Sequence, residues 1–336
     1  MSFQFLNMIF QMGLAFIVSL TVTAITGRFL VPALRRMKAG QSIREDGPVW
    51  HNKKQGTPTM GGLMFIVGIT VACLTVGASE MSAGRFGHIT VLIFSLVFAA
   101  IGMFDDYYKL KNKQNLGLKA KHKFALQFLA ALGFVVLMHL LGNLTTVLYI
   151  PFFNVTVNIP IPIYYVFAVF VIVGTVNSVN ITDGADGLAT GVTMPVALSY
   201  IALAFYWGHT TVGIFAAALL GGLVAFLFFN FYPAKAFMGD TGSLFLGGAV
   251  CALAFAMDMP LLLITLGFVY FVETLSDIIQ VSYYKITKGK RIFKMAPLHH
   301  HFEMSGWSEY KLFAVFTAVS AIFAVASFLG VFQRYH

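Results

Sequence analysis

Apolar runs long enough to cross a bilayer alternate with polar connections along this chain, and the basic residues fall almost wholly on every second connection. A membrane-spanning helix needs about 20 mostly apolar residues, since each adds roughly 1.5 Å of rise against a hydrocarbon core of about 30 Å. Ten runs meet that requirement, at 9–34, 58–77, 88–105, 123–142, 161–178, 188–207, 212–231, 241–258, 260–283 and 310–332. With ten spans, 20 of the 22 lysines and arginines share one side. They are Arg28, Arg35, Arg36, Lys38, Arg44, Lys53 and Lys54, then Lys109, Lys111, Lys113, Lys119, Lys121 and Lys123, then Lys235, and finally Lys285, Lys288, Lys290, Arg291, Lys294 and Lys311. Only Arg85 and Arg334 lie opposite. Basic loops stay in the cytoplasm, so both termini are expected to face outward. Removing any one span would throw the later basic loops across the membrane, which constrains the count. The expected fold is an all-α polytopic membrane protein with ten transmembrane helices.

Composition agrees, because 58% of residues are hydrophobic and only 10% charged, against about 25% charged in soluble domains. No nucleic-acid partner is expected. Cys73 and Cys251 both lie inside apolar runs and read as small buried side chains, with no disulfide framework. The first charge is Arg28, so the basic start of a secretory signal is missing and the first run is expected to stay as an anchor. Between the fourth and fifth runs, 145–150 and 155–159 alternate around Pro151-Phe152-Phe153-Asn154 and predict a small external β-hairpin. No repeat or soluble domain is visible, so residues 1–336 form one integral membrane domain with cytoplasmic loops at about 35–57, 106–122, 179–187, 232–240 and 284–309. Those loops are where chemistry is expected.

Aspartates recur at the cytoplasmic ends of the runs. Asp240, within Phe237-Met238-Gly239-Asp240-Thr241-Gly242-Ser243, is an ionisable group at the edge of a span, a functional candidate by default. Asp105 and Asp106 are adjacent carboxylates at another such edge, costly to retain unless a cation or lysine neutralises them. One of them is expected to accept a proton or approach a metal, with Lys109 and Lys121 holding phosphate. Asn180, Asp183 and Asp186 lie in a glycine-rich loop that has more oxygen ligands than a turn requires. If all these corners face one compartment, they can converge on a divalent cation. Lys53-Lys54-Gln55-Gly56-Thr57-Pro58-Thr59 reads either as a helix start with topology markers or as an anion site. Asn230 fits a helix cap, and Phe237 fits an interface aromatic or a stacking platform. His299-His300-His301 lacks a cysteine partner, and three consecutive side chains cannot all face one ion. Pyrophosphate binding, or positioning of the aspartates, suits that tract better. Glu273 and Asp277, inside the ninth run, carry no expected catalytic role.

Taken together, Gly56–Gly62, Asp105-Asp106-Tyr107, Asn180–Leu188, Phe237–Ser243 and Met295–Glu303 resemble the phospho-N-acetylmuramoyl-pentapeptide transferases of bacterial cell-wall synthesis. The resemblance runs from the first helix to the last, and the histidine motif separates this branch from the wider polyprenyl-phosphate N-acetylhexosamine-1-phosphate transferases. It implies transfer of phospho-N-acetylmuramoyl-pentapeptide from UDP to undecaprenyl phosphate, with release of UMP and formation of lipid I. It also implies Mg2+ dependence, a homodimer, and residence in the bacterial cytoplasmic membrane with the site on its inner face. Residue by residue, Asp240 resembles the principal metal ligand, and Asp105 and Asp106 the proton acceptor or second acidic partner. Lys109, Lys121 and Thr59 fall on the phosphate side, and Asn230 is expected near the metal. Asn180, Asp183 and Asp186 resemble the nucleotide-side cluster, Phe237 the uracil-stacking aromatic, and His299 and His300 the pair near the pyrophosphate. Direct attack by the lipid phosphate and a covalent phospho-sugar intermediate on an aspartate both remain open.

Two rival readings differ in testable ways. A transferase for N-acetylglucosamine phosphate would share the acids, but the triple-histidine loop argues against it. A secondary transporter would place its carboxylates at mid-depth between inverted repeats, whereas here, Glu273 excepted, the acids cluster at helix ends on one side and no inverted repeat is visible.

Overall fold

A computed structural model describes residues 3–37, 54, 56–112, 117–332 and 334. Most of the first basic connection, including Lys38, Arg44 and Lys53, lies outside the described residues, as does Lys113. In chain order the helices are α1 (Phe3–Arg36), α2 (Leu63–Val76), α3 (Ala78–Ser82), α4 (Gly87–Asn112), α5 (Ala120–Leu140), α6 (Ile161–Thr182), α7 (Leu188–Trp207), α8 (Thr210–Asn230), α9 (Gly239–Ala256), α10 (Leu263–Leu266), α11 (Phe268–Ile286), α12 (Leu298–Glu303) and α13 (Glu309–Val331). Strands β1 (Val147–Ile150) and β2 (Val155–Asn158) pair antiparallel, Val147 opposite Asn158, as the alternation around Pro151–Asn154 predicts.

Among the described residues, eight helices are long and apolar enough to cross a membrane: α1, α4, α5, α6, α7, α8, α9 and α13. Two of the ten expected spans depart from a straight crossing. The run expected at 260–283 breaks at Gly267, and its two parts, Pro260–Leu266 and Phe268–Ile286, are inclined by 81°. Counting that pair as one crossing gives nine. The run expected at 58–77 is helical only over the 14 residues of α2, about 21 Å of rise, which falls short of the hydrocarbon core. Its first residues bend and turn through Met60, at φ +65°, instead of continuing the helix, because they bond to the segment before α9. The Phe237 N–H donates to the Pro58 carbonyl at 2.9 Å, Gly61 to Phe237 at 2.8 Å and Gly62 to Met238 at 3.0 Å.

Beyond its polar first turn α9 is apolar on every side and buried almost throughout, packed between α4 and α6. That is the expected place for a helix with no polar face. α8 is similarly enclosed by α1, α2 and α7, and α13 packs on α7. α5 lies at the edge, with Phe124, Leu126, Phe128, Leu129 and Leu137 exposed to what would be lipid. Small residues let helix backbones approach closely where lipid offers no hydrophobic drive for association. Gly102 on α4 shows the limit of that approach: a β-carbon there would collide with the Asp240 carbonyl and stand 2.7 Å from the Thr241 nitrogen.

Gly102→Ala is therefore expected to lower the thermal unfolding midpoint of the detergent-purified protein, at a cost of about 1–3 kcal/mol typical of overpacking. Gly133→Ala on α5, where the added carbon meets nothing within 4 Å, should leave the midpoint unchanged or slightly raised.

Candidate functional site

The crossing of α4 and α9 brings two acidic corners together. The first N–H groups of a helix have no partner inside it and carry the positive end of its dipole. At α9 they are satisfied from another helix: Asp106 Oδ1 accepts the Asp240 N–H at 3.1 Å, and Asp106 Oδ2 accepts the Thr241 N–H at 2.8 Å and its hydroxyl at 2.7 Å. Asp106 is 2% exposed. Its first task is thus to fix where α9 begins. Gly239, at φ +71°, makes the turn into the helix with Thr59 and Asp106 against it. A side chain would be strained in that conformation.

One oxygen from each of Asp105, Asp106 and Asp240 lies within 4.8 Å of the others. Two lysines lie over them. Lys109 Nζ reaches Asp105 Oδ2 at 2.7 Å and Asp240 Oδ2 at 2.9 Å, and Lys123 Nζ reaches Asp240 Oδ2 at 2.6 Å. Asn180 Nδ2 donates to Asp240 Oδ1 at 2.9 Å and to Ser243 Oγ at 2.7 Å. Asp105 Oδ1 accepts the Leu118 N–H at 2.8 Å. Three carboxylates against two ammonium groups leave one negative charge over, and every donor atom is a hard oxygen. That set fits a divalent cation of the magnesium type. Asp240 and Asp105 would present oxygens to it, while Asp106 is already committed to the start of α9.

The histidine loop forms an adjoining wall. Gln280 on α11 holds that loop by accepting the Ile292 and Phe293 N–H groups, each at 3.0 Å. The three histidines then take three different partners. His299 Nδ1 lies 2.9 Å from Glu273 Oε2, and its backbone N–H donates to Glu273 Oε1 at 3.1 Å. His300 Nδ1 lies 2.7 Å from Glu303 Oε2, and His301 Nδ1 accepts the Lys294 N–H at 3.1 Å. The far nitrogen of His299, Nε2, is buried without a hydrogen-bond partner and rests on Gly184 of the third loop. Glu273, expected to have no role in the site, is thus the group that sets the orientation of His299. Its only sequence signal was an acid inside an apolar run.

The other expected site residues have partners and positions of their own. Lys121 is exposed on α5, and Lys123 takes the inward position beside Asp240. Asn230, expected near the metal, is engaged in holding its own loop: it accepts the Thr190 hydroxyl at 2.8 Å and donates to the Ala236 carbonyl at 3.1 Å. Phe237 is half-buried, its backbone paired with Pro58 and Gly61. Asp186 joins a second cluster with Lys54 and Glu309, the last unremarked in the sequence. Burial works against the Lys54 ammonium, but Asp186 and Glu309 outweigh it and hold it above the usual lysine value. Asp183 lies between the two clusters. Burial, reinforced by the charges of Asp240, Asp106 and Asp186, pushes its carboxyl well above the usual range.

Residues 88–258 match the model of glycosyl transferase family 4. Residues 54–66 match the first signature of phospho-N-acetylmuramoyl-pentapeptide-transferase. A transferase of that name from Caldanaerobacter subterraneus subsp. tengcongensis is 46% identical over 96% of this chain and 99% of its own length. The chain belongs to the phospho-N-acetylmuramoyl-pentapeptide-transferase family. The family member from Heliobacterium modesticaldum is 48% identical over 96% of this chain and 97% of its own, and one from Staphylococcus aureus is 46% identical over 91% and 95%. The family-4 match contains Asp105, Asp106, Lys109, Lys123, Asn180, Asp183, Asp186 and Asp240, and the transferase signature contains Lys54 and Thr59. This family member is a multi-pass membrane enzyme.

Titrating Mg2+ while following thermal unfolding checks the acidic group. The midpoint of the wild type is expected to rise with Mg2+ by the mass action of a ligand that binds only the folded state. Asp240→Asn should still unfold cooperatively but lose that rise. Lys123→Met, which removes an ammonium competing for Asp240 Oδ2, should shift the titration to several-fold lower Mg2+.

Proposed function

We propose that this chain catalyses the Mg2+-dependent transfer of phospho-N-acetylmuramoyl-pentapeptide from its UDP carrier to undecaprenyl phosphate, releasing UMP and forming lipid I. The observation that carries the proposal is the group of Asp105, Asp106 and Asp240, with Lys109 and Lys123 laid over it, at the end of a helix crossing. Phosphoryl transfer requires charge neutralisation and in-line positioning more than covalent chemistry, and this arrangement supplies both. The relatives from Caldanaerobacter subterraneus and Heliobacterium modesticaldum are named for the same phospho-sugar peptide.

Bound Mg2+, with Asp240 as its principal ligand, would neutralise charge on the donor diphosphate. Lys109 and Lys123, now spent on Asp240 and Asp105, would turn to phosphate oxygens. Asp105, held by Lys109 and the Leu118 N–H, faces Asp240 and accepts the proton of the lipid phosphate. Asp106 keeps the α9 start in register with α4. His299, aligned by Glu273 and resting on Gly184, lines the pyrophosphate side with His300 beside it. Asn180, Asp183 and Asp186 form the nucleotide side, with Phe237 as the stacking surface for uracil and Thr59 at the phosphate.

The topology that suits this chemistry is the ten-crossing one. α2 then serves as a short tenth span whose inner end is recessed, since Pro58, Gly61 and Gly62 are tied to Phe237 and Met238. That recess lets a polyprenyl tail lie among the helices while its phosphate meets a water-soluble donor. Both termini and the β-hairpin face outward, and the site opens to the cytoplasm from the bacterial cytoplasmic membrane. Residues 1–336 act as one integral domain, and the protein works as a homodimer.

Purified protein is expected to release UMP from UDP-N-acetylmuramoyl-pentapeptide only when undecaprenyl phosphate and Mg2+ are both present. Release with UDP-N-acetylglucosamine instead would move the assignment to the related hexosamine-phosphate transferases. Asp240→Asn should lower turnover by at least about a hundredfold, the scale of losing a principal electrostatic group. Near-normal turnover of that variant would remove Asp240 from the metal role.

A further inference from the structure

The second charged cluster ties together four stretches of chain. Lys54 Nζ donates to Asp186 Oδ1 at 2.7 Å and to Glu309 Oε2 at 2.6 Å. The same Glu309 oxygen accepts the Asp186 backbone N–H at 3.1 Å, and Asp186 Oδ2 accepts the Ala234 N–H at 2.8 Å. The side chains of Lys54, Asp186 and Glu309 are only 15%, 2% and 9% exposed, so solvent screens these bonds weakly.

Asp186 alone would neutralise Lys54. What Glu309 adds is the bond to the Asp186 N–H, which fixes the backbone of the loop between Asp183 and Gly187. Glu309 is itself placed by a rigid element. It is the first residue of α13, whose start is capped by the Ser308 hydroxyl accepting the Lys311 N–H, and α13 packs on α7, the helix that follows the loop. The loop carries Asp183, whose carboxylate makes no ion pair among the described residues and lies within the field of Asp240 and Asp106. Both sequence matches end well before Glu309, although they include its partners Lys54 and Asp186.

We propose that Glu309 is a positioning residue for the nucleotide donor: it locks Lys54 and the Asp183–Gly187 loop into one arrangement before the donor arrives, and it takes no part in holding the lipid acceptor. The inference rests on the proposed transferase activity. A pre-formed loop lowers the ordering cost of donor binding, so its loss raises the donor KM and leaves the chemical step largely intact.

The test is steady-state UMP release by the purified full-length protein, varying each substrate with the other saturating. Glu309→Ala is expected to raise the donor KM about tenfold or more, with kcat within about threefold and acceptor KM unchanged. Glu309→Gln keeps an oxygen for the Asp186 N–H and should bring the donor KM back to within about threefold of wild type. The double variant Glu309→Ala with Asp186→Ala should be no worse than Asp186→Ala alone, since residues acting through one another are not additive. A lower kcat with an unmoved donor KM, a raised acceptor KM, or additive effects would each overturn the proposal. Should Glu309→Ala fail to unfold cooperatively, Glu309→Asp is read in its place: the same selective rise supports the inference and a wild-type donor KM ends it. Wild-type protein that releases no UMP from this donor would overturn the transferase reading as well, an outcome separate from any behaviour of the variants.

Discussion

The site depends on one helix terminus being capped by a side chain of another helix. Asp106 of α4 accepts two backbone N–H groups and a hydroxyl at the start of α9, and that contact sets the height of Asp240 relative to Asp105. In a low-dielectric surrounding an uncapped helix start would be costly, and so would an unpaired carboxylate. Each is the remedy for the other. The close approach of Gly102 to the Asp240 carbonyl allows the two helices to meet at this depth, so packing and electrostatics select the same register.

Around that contact the charges are arranged in a balance that substrates can shift. Lys109 and Lys123 are held by carboxylates, and the surplus negative charge falls on the oxygens that a divalent cation would take. Ammonium groups held on the acids of a candidate metal site cost little there, because each is paired. In the proposed reaction they would become available to phosphate once a stronger positive charge replaced them on the aspartates. Glu273 and His299 extend the same logic to the neighbouring wall, where a buried carboxylate fixes the near nitrogen of an imidazole and leaves the far one unbonded.

Much of this was legible in the residues. The apolar runs, their basic connections, the hairpin and the candidate acids all follow from local pattern, because span length, charge bias and turn chemistry act over a few residues at a time. The convergence of Asp105, Asp106 and Asp240 was readable as an expectation from topology, since alternate connections must share a compartment. The count of spans was less secure. α2 is shortened by pairing of Pro58–Gly62 with Phe237 and Met238, and the ninth run is bent at Gly267. Neither pairing across about 180 residues nor a bend of 81° leaves a mark in hydropathy.

The sequence by itself determined a multi-pass helical membrane protein, and it singled out the aspartates and histidines that chemistry of this kind needs. Tertiary structure alone decided which side chains serve which task. Lys121 and Lys123 are two residues apart, roughly 200° around a helix, and only the docking of α5 turns Lys123 inward. Asn230 holds its own loop through Thr190 and Ala236, while Glu273 and Glu309 were drawn in by partners 26 and 123 residues distant. Periodicity fixes the spacing of side chains along a helix, but the direction in which that helix is rotated is set by what it packs against.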